Sequence, residues 1–353
     1  MTSTTGLAVA GHICLDLTPT LPGPARVEPG QLVDIGALRM SLGGSAANTG
    51  RALADLGRQV DVVAGVGDDP LGAVVAAEVE AYPGLHGRIQ VIPGSTTSYS
   101  VVVEPPGTDR TFWHHTGANA LFDGAALDPA GLDLLHVGYP PLLPAMAAAD
   151  GAALVDLFTR ARAAGATTSL DLAVVDRDSA VGRIDWTAVL RACLPHTDVI
   201  SPSVDDLTSA LGLDAPTDDA AAAALAADLA GRLLAWGAAV VVLSDGGRGL
   251  LVRTAGRERL AAGGRVLAPM ADTWADADFR ILPVPVADPR TTNGAGDACT
   301  AGLLAGLVAG GTPRQAVTLA AATAAVVISG RRPTPDVVLA GNPELAGLFA
   351  TRP

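Results

Sequence analysis

Short apolar runs rich in β-branched residues alternate with longer alanine-rich stretches along almost the whole 353-residue chain. A short apolar run is typical of a strand buried on both faces, and an alanine-rich stretch is typical of a helix. Strands that alternate with helices form parallel sheets, because each crossover carries a helix onto a face of the sheet. We therefore predict an α/β protein whose central sheet is mostly parallel and covered by helices.

The alternation places most elements and leaves three segments outside it. Residues 18–40 are rich in proline and glycine, and residues 99–104 with 110–115 read as a hairpin turning at 105–107, so the two could pair into a small accessory sheet. Residues 256–280 are predicted to be a loop. Predicted strands are 7–13, 60–64, 132–137, 167–172, 198–200 and 240–243, and predicted helices are 46–56, 71–80, 145–164, 186–194, 218–236, 295–309 and 313–329.

Lysine is missing from the chain, since all 23 basic residues are arginine. This excludes a pyridoxal enzyme, which needs a Schiff-base lysine, and a P-loop NTPase, which needs the lysine of its phosphate loop. The formal charge of −13 argues against nucleic acid or a membrane surface as the main partner. A dinucleotide-binding dehydrogenase is also disfavoured, because no G-x-G-x-x-G follows the first predicted strand.

Cysteine spacing and the chain start bear on the cellular compartment. The three cysteines are far apart and form no C-x-x-C pair, which fits a reducing environment. The sequence does not start with a basic segment followed by an apolar one, as a signal peptide does. It also lacks an apolar tract of the ~20 residues that span a bilayer. We expect a cytoplasmic protein without a membrane span.

Residues 291–297, TTNGAGD, directly precede an apolar predicted helix. Free backbone amides at a helix start favour an anion, and small side chains let a ligand approach, so Gly294, Ala295 and Gly296 predict an anion site. Asp297 would repel phosphate there, unless it takes a proton from an attacking hydroxyl. An ordinary helix N-cap is the alternative for this carboxylate.

Other segments offer candidate ligand groups beside predicted strands and helices. Residues 43–50, GGSAANTG, combine paired glycines with the amide of Asn48, and residues 65–72, GVGDDPLG, open another predicted helix. Each is also compatible with a plain capped helix start. His136, Tyr139 and Asp171 follow or end predicted strands, where a ligand contact and a core position both stay open.

Together, these segments resemble the ribokinase-like (PfkB) carbohydrate kinase family. TTNGAGD is similar to its C-terminal signature and GGSAANTGRALADLG to its N-terminal one. GHICLD at 11–16, GAN at 117–119 and SDGGRG at 244–249 resemble its first strand, the segment after its lid strands and its nucleotide turn. The resemblance implies one ribokinase-like domain over 1–353, a three-layer α/β/α sandwich with a small β-sheet lid formed by about 16–41 and 97–116.

The resemblance also implies an activity, transfer of the γ-phosphoryl group of ATP to a hydroxyl of a small carbohydrate. Asp297 is then the general base, and Gly294, Ala295 and Gly296 stabilise the charge on the transferred group. Mg²⁺ would be held by Asp206 largely through water. A homodimer through the lid is expected. The implied substrate-binding residues are Asp16, Gly43, Gly44, Asn48, Asn119 and Asp171, and the implied nucleotide-binding residues are Ser244, Gly246, Gly249, Thr292 and Asn293.

Two positions depart from the family pattern. Thr291 stands where an aspartate of a monovalent-cation site is common, which predicts little dependence on potassium. Ser203 to Asp206 gives S-x-x-D where N-x-x-E is usual, so the acid is kept but shortened. A nucleoside kinase remains an alternative, because Phe112 and Trp113 in the predicted hairpin could stack on a base. A sugar-binding regulator that has lost the chemistry is another.

Overall fold

The computed structural model describes residues 6–23, 28–105 and 111–350. In those ranges the strands are β1 (Leu7–Gly11), β2 (Cys14–Pro19), β3 (Leu38–Gly43), β4 (Val60–Gly67), β5 (Leu85–Ile92), β6 (Tyr99–Val103), β7 (Thr111–His115), β8 (Leu134–Gly138), β9 (Thr167–Asp171), β10 (Val199–Ile200), β11 (Val240–Ser244), β12 (Leu250–Thr254) and β13 (Asp278–Ile281). The helices are α1 (Ser45–Asp55), α2 (Pro70–Ala81), α3 (Pro144–Ala163), α4 (Trp186–Cys193), α5 (Val204–Leu211), α6 (Asp219–Ala235), α7 (Arg257–Ala261), α8 (Ala271–Trp274), α9 (Ala295–Val308), α10 (Pro313–Ile328) and α11 (Pro335–Gly341).

Nine strands form the central sheet, in the order β13-β12-β11-β10-β9-β8-β1-β4-β5. Strand β12 runs antiparallel to β11 and β13, and the other neighbouring pairs are parallel. The predicted mostly parallel sheet is therefore confirmed. Within the described ranges, no helix is both long and apolar enough to cross a bilayer.

Alternating side chains along the strands build a core on each face of the central sheet. On β1, Leu7 and Val9 pack into one core, which includes residues of α1, α9 and α10. Ala8 and Ala10 pack into a second core, which includes residues of α3, α4 and α6. The sheet thus lies between two helical layers, which confirms the expected α/β/α sandwich.

A separate small sheet of four strands, in the order β3-β2-β6-β7, projects from the central one. Only His12 and Ile13 join β1 to β2. The register aligns Met40, Leu17, Val101 and Trp113 in one row, and the next row, on the opposite face, aligns Ser41, Asp16, Ser100 and His114. The predicted accessory sheet is confirmed, although its strands β2 and β3 lie at the two ends of the segment 18–40 and the described residues 20–23 and 28–37 are outside them. Residues 24–27 and 106–110 of the expected lid segments, including most of the 105–107 turn, lie outside the described residues.

The segment 256–280, which the sequence predicts as a loop, instead contains α7, α8 and β13. These elements are four or five residues long, too short to show a helical or strand periodicity. Trp274 anchors the segment: its side chain is buried and its indole N–H donates to the carbonyl of Gly311 at 3.0 Å. A second difference is a break in the predicted helix 145–164, where residues 148–151 leave helical geometry.

A buried carboxylate, that of Asp198, fixes this segment to the amino end of the sheet. Its side chain is 0% exposed and accepts hydrogen bonds from the guanidinium groups of Arg162 and Arg259. It also accepts the backbone N–H groups of Thr168 at 3.1 Å and Gly264 at 3.2 Å. Because these donors come from α3, α7, β9 and the turn after α7, one side chain links four parts of the fold.

Residues 65–72 contain the end of β4 and the start of α2. They form a capped helix start, which is one of the two interpretations of this segment, the other being a ligand contact. Asp69 accepts the N–H of Gly72 at 2.9 Å, and Pro70 occupies the first helical position. The same carboxylate accepts the N–H of Thr97 at 2.8 Å and its hydroxyl at 2.6 Å. Asp69 therefore secures the approach to β6 in the small sheet.

Candidate active site

Asp297 lies in the first turn of α9, immediately after the small residues of the TTNGAGD segment. Gly294 precedes the helix with φ of 73°, a left-handed conformation that glycine adopts without strain. The first turn of a helix has N–H groups without intrahelical acceptors and carries the positive end of the helix dipole. The segment that the sequence predicts as an anion site thus forms a helix start, with the carboxylate of Asp297 in the first turn.

Three side chains donate hydrogen bonds to the carboxylate of Asp297. Oδ2 accepts from the amide of Asn48 and from the hydroxyl of Tyr139, each at 3.0 Å, and Oδ1 accepts from the hydroxyl of Thr49 at 3.3 Å. The residue is 1% exposed. Burial raises the pKa of Asp297, and the hydrogen bonds from these donors oppose that rise. Tyr139, for which the sequence left two interpretations open, is therefore adjacent to the candidate base.

A cavity of about 640 Å³, which we name the polar cavity after the polar side chains that form part of its wall, lies between the small sheet and the carboxyl ends of the central strands. Asp16, Asn48 and Asn293 line it, together with Tyr139 and Gly44. The ring side chains of its wall include His12, His114 and Phe112, and its apolar part includes Pro141, Leu142, Val174 and Val175.

His12 contributes polar atoms to this cavity that the described residues do not satisfy. The side chain is 3% exposed, and neither ring nitrogen has a hydrogen-bond partner among those residues. Burial, and after it the neighbouring His114, lowers the pKa of His12 to about 3. The ring is therefore neutral near pH 7, with one donor and one acceptor nitrogen. The two nitrogens can therefore form hydrogen bonds to water or to a polar ligand in the cavity.

An apolar cavity of about 580 Å³ lies at the same end of α9 but does not share a lining residue with the polar cavity. Ala295 and Gly296 line it, as do Cys299 and residues of α10 such as Ala321 and Ile328. Four of the five predicted nucleotide residues also line it, namely Ser244, Gly246, Gly249 and Thr292. The fifth, Asn293, lines the polar cavity instead.

Three predicted substrate residues lie outside the lining of both cavities. Gly43 is adjacent to Asp16, because a Cβ at this glycine would come within 2.5 Å of the Asp16 carboxylate. Asn119 is 0% exposed, and its amide donates to the carbonyl of Ile13 at 2.8 Å and accepts the N–H of Ile13 at 3.4 Å. Its side chain thus fixes the β1–β2 connection.

The third, Asp171, ends β9 and is buried. Its carboxylate accepts the N–H of Leu172 at 2.8 Å and the hydroxyl of Thr300 at 3.4 Å. Burial, and after it the charges of Asp206 and Asp297, raises the pKa of Asp171 well above its usual range. The negative charges of Asp206 and Asp297 thus act on the carboxyl group of Asp171.

Asp206 takes part in a capping box at the start of α5. Its carboxylate accepts the N–H of Ser203 at 2.8 Å, and its own N–H donates to the Ser203 hydroxyl at 3.0 Å. Across the described ranges, no group of three His, Cys, Asp or Glu side chains is arranged to hold a metal by itself. Carboxylate oxygens from Asp206 and Asp171 nevertheless suit Mg²⁺, which takes few protein ligands and completes its shell with water and phosphate.

Comparison with known proteins identifies both the family and the fold. A family model described as pfkB family carbohydrate kinase matches residues 4–337. Arabidopsis thaliana ribokinase complexed with ribose and ATP gives a TM-score of 0.71 at 17% identity, covering 99% of this chain and 100% of the other. Cryptococcus neoformans var. grubii ribokinase in complex with ADP gives 0.72 at 18%, covering 96% and 100%. Burkholderia thailandensis nucleoside kinase in complex with inosine gives 0.63 at 19%, covering 95% of both chains.

The two kinds of likeness support different conclusions. The TM-scores of 0.63–0.72 show that the α/β sandwich with its small sheet is a ribokinase-like fold, and at identities of 17–19% they show the fold alone. The family match spans both sheets and continues into α11, and the members of that family are kinases. The chain therefore belongs to the pfkB family of carbohydrate kinases.

Proposed function

We propose that the protein transfers the γ-phosphoryl group of ATP to a hydroxyl of a small carbohydrate, with Asp297 as the general base. The observation that carries the proposal is the position of Asp297 at the start of α9, where a polar cavity and an apolar cavity approach the same helix end. In a phosphoryl transfer, the attacking oxygen of the acceptor and the leaving oxygen of the nucleotide lie in line with the phosphorus, and an anion-binding point is needed where the transferred group passes. The helix start at Gly294, Ala295 and Gly296 suits that point.

The acceptor would bind in the polar cavity, with its reacting hydroxyl toward Asp297. Carboxylate and amide groups from Asp16, Asn48 and Asn293 offer donors and acceptors to neighbouring hydroxyls. His12 offers two more sites, which the described residues leave without partners. Asp297 takes the proton of the attacking oxygen as its bond to phosphorus forms, which prevents positive charge from building on that oxygen. Backbone N–H groups at the helix start offset the negative charge on the phosphoryl oxygens.

The nucleotide would occupy the apolar cavity. Alanine and isoleucine side chains of α10 suit the faces of an adenine ring, and Ser244, Gly246 and Gly249 border the same cavity. Asp206 and Asp171 would hold Mg²⁺, which neutralises the nucleotide phosphates when bound. The absence of lysine is no obstacle, because backbone amides and a divalent cation can together bind phosphate.

The experiment that tests the proposal is a panel of free sugars and nucleosides, assayed with ATP and magnesium for release of ADP. Phosphorylation of a sugar by the wild-type enzyme, with no more than background ADP release by Asp297→Asn, is the supporting result. Binding without turnover for every member of the panel would favour the regulator instead. ADP release that does not depend on any acceptor would contradict the proposal.

A nucleoside is the second candidate for the acceptor. The polar cavity, at about 640 Å³, is larger than a monosaccharide needs, and its wall brings the rings of His12 and His114 within 5.2 Å of each other. Flat ring systems of this kind can stack on a base. In the panel, this candidate predicts turnover of a nucleoside at lower concentration than the matching free sugar.

We also propose that the chain acts as one kinase domain, with the small sheet as a lid over the acceptor and as a homodimer contact. Asp16, Ser100 and His114 lie in one row and line the polar cavity, so this face of the sheet can exclude water from the reaction. The opposite face exposes Met40 and Trp113 by 54% and 51%. Two such faces can pair and bury both apolar rows.

Trp113→Asp is expected to convert the dimer to a monomer, because a carboxylate in the apolar row would have to be buried without a partner. Size-exclusion chromatography with light scattering measures the mass of both proteins. Leu121→Asp is the matched control, since Leu121 is 58% exposed but lies outside the small sheet, and this variant should remain a dimer. A monomeric wild type, or a Trp113→Asp protein that stays dimeric, would disprove the contact.

Potassium is expected to change the rate less than about twofold when it replaces sodium in the assay, because Thr291 stands where an aspartate of a monovalent-cation site is common, and a neutral hydroxyl attracts a cation less strongly than a carboxylate. The Thr291 hydroxyl already accepts the N–H of Asn293 at 3.0 Å. Initial rates in matched sodium and potassium buffers decide the matter. A gain of tenfold or more with potassium would contradict this prediction.

A further inference from the structure

The phenol of Tyr139 contacts the carboxylate of Asp297, although 158 positions separate the two residues in the sequence. Its hydroxyl donates to Oδ2 at 3.0 Å. Burial, and after it the charge of Asp297, raises the pKa of Tyr139 well above its usual range. A phenol that keeps its proton at neutral pH donates toward a carboxylate, and such a hydrogen bond favours the ionised carboxylate.

The backbone of Tyr139 adopts a conformation that is rare for residues with a side chain. Its φ and ψ are 62° and 49°, in the left-handed region, directly before Pro140. Its N–H donates to the carbonyl of Asp171 at 3.2 Å, which connects it to the end of β9. A tyrosine in this region persists only where surrounding contacts hold it, and such residues cluster at functional sites.

The donors to Asp297 come from two directions. Asn48 and Thr49 lie on α1, whereas Tyr139 follows β8. Asn48 also lines the polar cavity, and its Oδ1 accepts from Arg51 at 2.7 Å. The Asn48 amide has two N–H groups, so it can donate both to a bound acceptor and to Asp297, whereas the Tyr139 hydroxyl has a single O–H, which donates to Oδ2.

We infer that Tyr139 is a positioning residue for Asp297, whose phenol fixes the carboxylate from the β8 side and keeps it ionised while an acceptor is bound. The inference rests on the function proposed above. Other charged groups also act on this site: Arg51 on α1 favours the ionised form of Asp297, whereas Asp171 on β9 and Asp206 on α5 add negative charge nearby. All of them remain in a Tyr139→Phe variant, so that substitution isolates the phenol hydroxyl.

Tyr139→Phe is expected to move the acid limb of the kcat profile to higher pH by about one unit, because the lost hydrogen bond to a charged group raises the pKa of Asp297. At the acid end of the profile, kcat then falls by about tenfold for that shift of one unit. The KM for ATP should not change, since Tyr139 does not line the apolar cavity.

Tyr82→Phe is the matched control. The Tyr82 hydroxyl also donates to a carboxylate, Oδ1 of Asp55 at 2.8 Å, and burial raises the pKa of Tyr82 to about 12. Its removal deletes a hydrogen bond of the same kind that does not involve Asp297. We expect the acid limb of this variant to stay at the wild-type position.

A second readout does not depend on turnover. Carbon-13 NMR of protein labelled at the aspartate carboxyl carbons follows the titration of Asp297 without ligands, with Asp297→Asn identifying its resonance. A rise in this pKa in Tyr139→Phe supports the inference. An unchanged titration and acid limb, even with a lower kcat at every pH, would overturn it. A wild type that phosphorylates no acceptor would defeat the proposed function alone, and the NMR titration would still decide the role of Tyr139.

Discussion

Asp297→Asn is expected to lower kcat by about a thousandfold or more, because a positioned general base contributes about 10²–10⁴-fold and an amide cannot accept the proton. The variant should still bind both substrates, since the cavities are lined by other residues. Isothermal titration with ATP and with the acceptor measures binding, and ADP release measures turnover. A variant that keeps more than about a tenth of the activity would exclude Asp297 as the base.

Loss of activity in this variant can be separated from loss of the fold. Burial raises the pKa of Asp297, so the ionised carboxylate lowers the stability of the folded state as pH rises through that pKa. A neutral asparagine removes this cost, and we expect an unfolding temperature no lower than that of the wild type at pH 7. Asp228→Asn on α6, whose side chain is 50% exposed, is the matched control and should retain full activity.

Asp198→Ala is expected to lower the free energy of unfolding by about 3–5 kcal/mol, the range for removing one partner of a buried ion pair. The substitution leaves the guanidinium groups of Arg162 and Arg259, each 22% exposed, without this carboxylate. It also removes the acceptor of two buried backbone N–H groups, those of Thr168 and Gly264. Urea denaturation followed by tryptophan fluorescence is suitable, because the buried Trp274 lies in the segment that Asp198 secures.

Asp228→Ala serves as the control for this measurement. The pair between Asp228 and Arg232 is a solvent-exposed i,i+4 contact, which contributes about 1 kcal/mol at most. The activity of the variant is a second readout, because Asp198 is far from the candidate site: it precedes β10 at the amino ends of the strands, whereas Tyr139 and Asp171 lie at their carboxyl ends. The kcat of folded Asp198→Ala should therefore equal that of the wild type. Stability within 1 kcal/mol of the wild type would refute the structural role of this carboxylate.

The elements that sequence predicts well are those with long, uniform apolar patterns. Strands such as β4 and β11 and helices such as α9 and α10 begin within a residue or two of their predicted positions, because deep burial requires continuous apolar runs. Strand β5 was not predicted, because it lies at an edge of the sheet and several of its residues are exposed, so its sequence is not a continuous apolar run. The short elements in 256–280 were not predicted for a different reason. Packing around the buried Trp274 determines them, and the local sequence shows no helical or strand periodicity.

The candidate site could be predicted where a single segment carries both the backbone geometry and the chemical group. In TTNGAGD, the glycine that permits a positive φ and the carboxylate lie three residues apart. The contact between Tyr139 and Asp297 joins two distant segments, and nothing in the local sequence predicts a left-handed tyrosine before proline. The contact of Asn119 with the backbone of Ile13 is also one between distant segments, whereas the family resemblance implies a substrate-binding role for this residue that stays a prediction.

The two-residue link between β1 and β2 determines how the small sheet can move. Its backbone is held on both sides, because the carbonyl of His12 accepts the N–H of Ala46 at 3.0 Å and Asn119 binds both backbone groups of Ile13. The base of β6 is fixed as well, through Thr97 and Asp69. The two inner strands, β2 and β6, are therefore anchored at their bases, so any opening of the sheet would have to come from the outer strands β3 and β7, and Asp16 on β2 would stay beside the polar cavity.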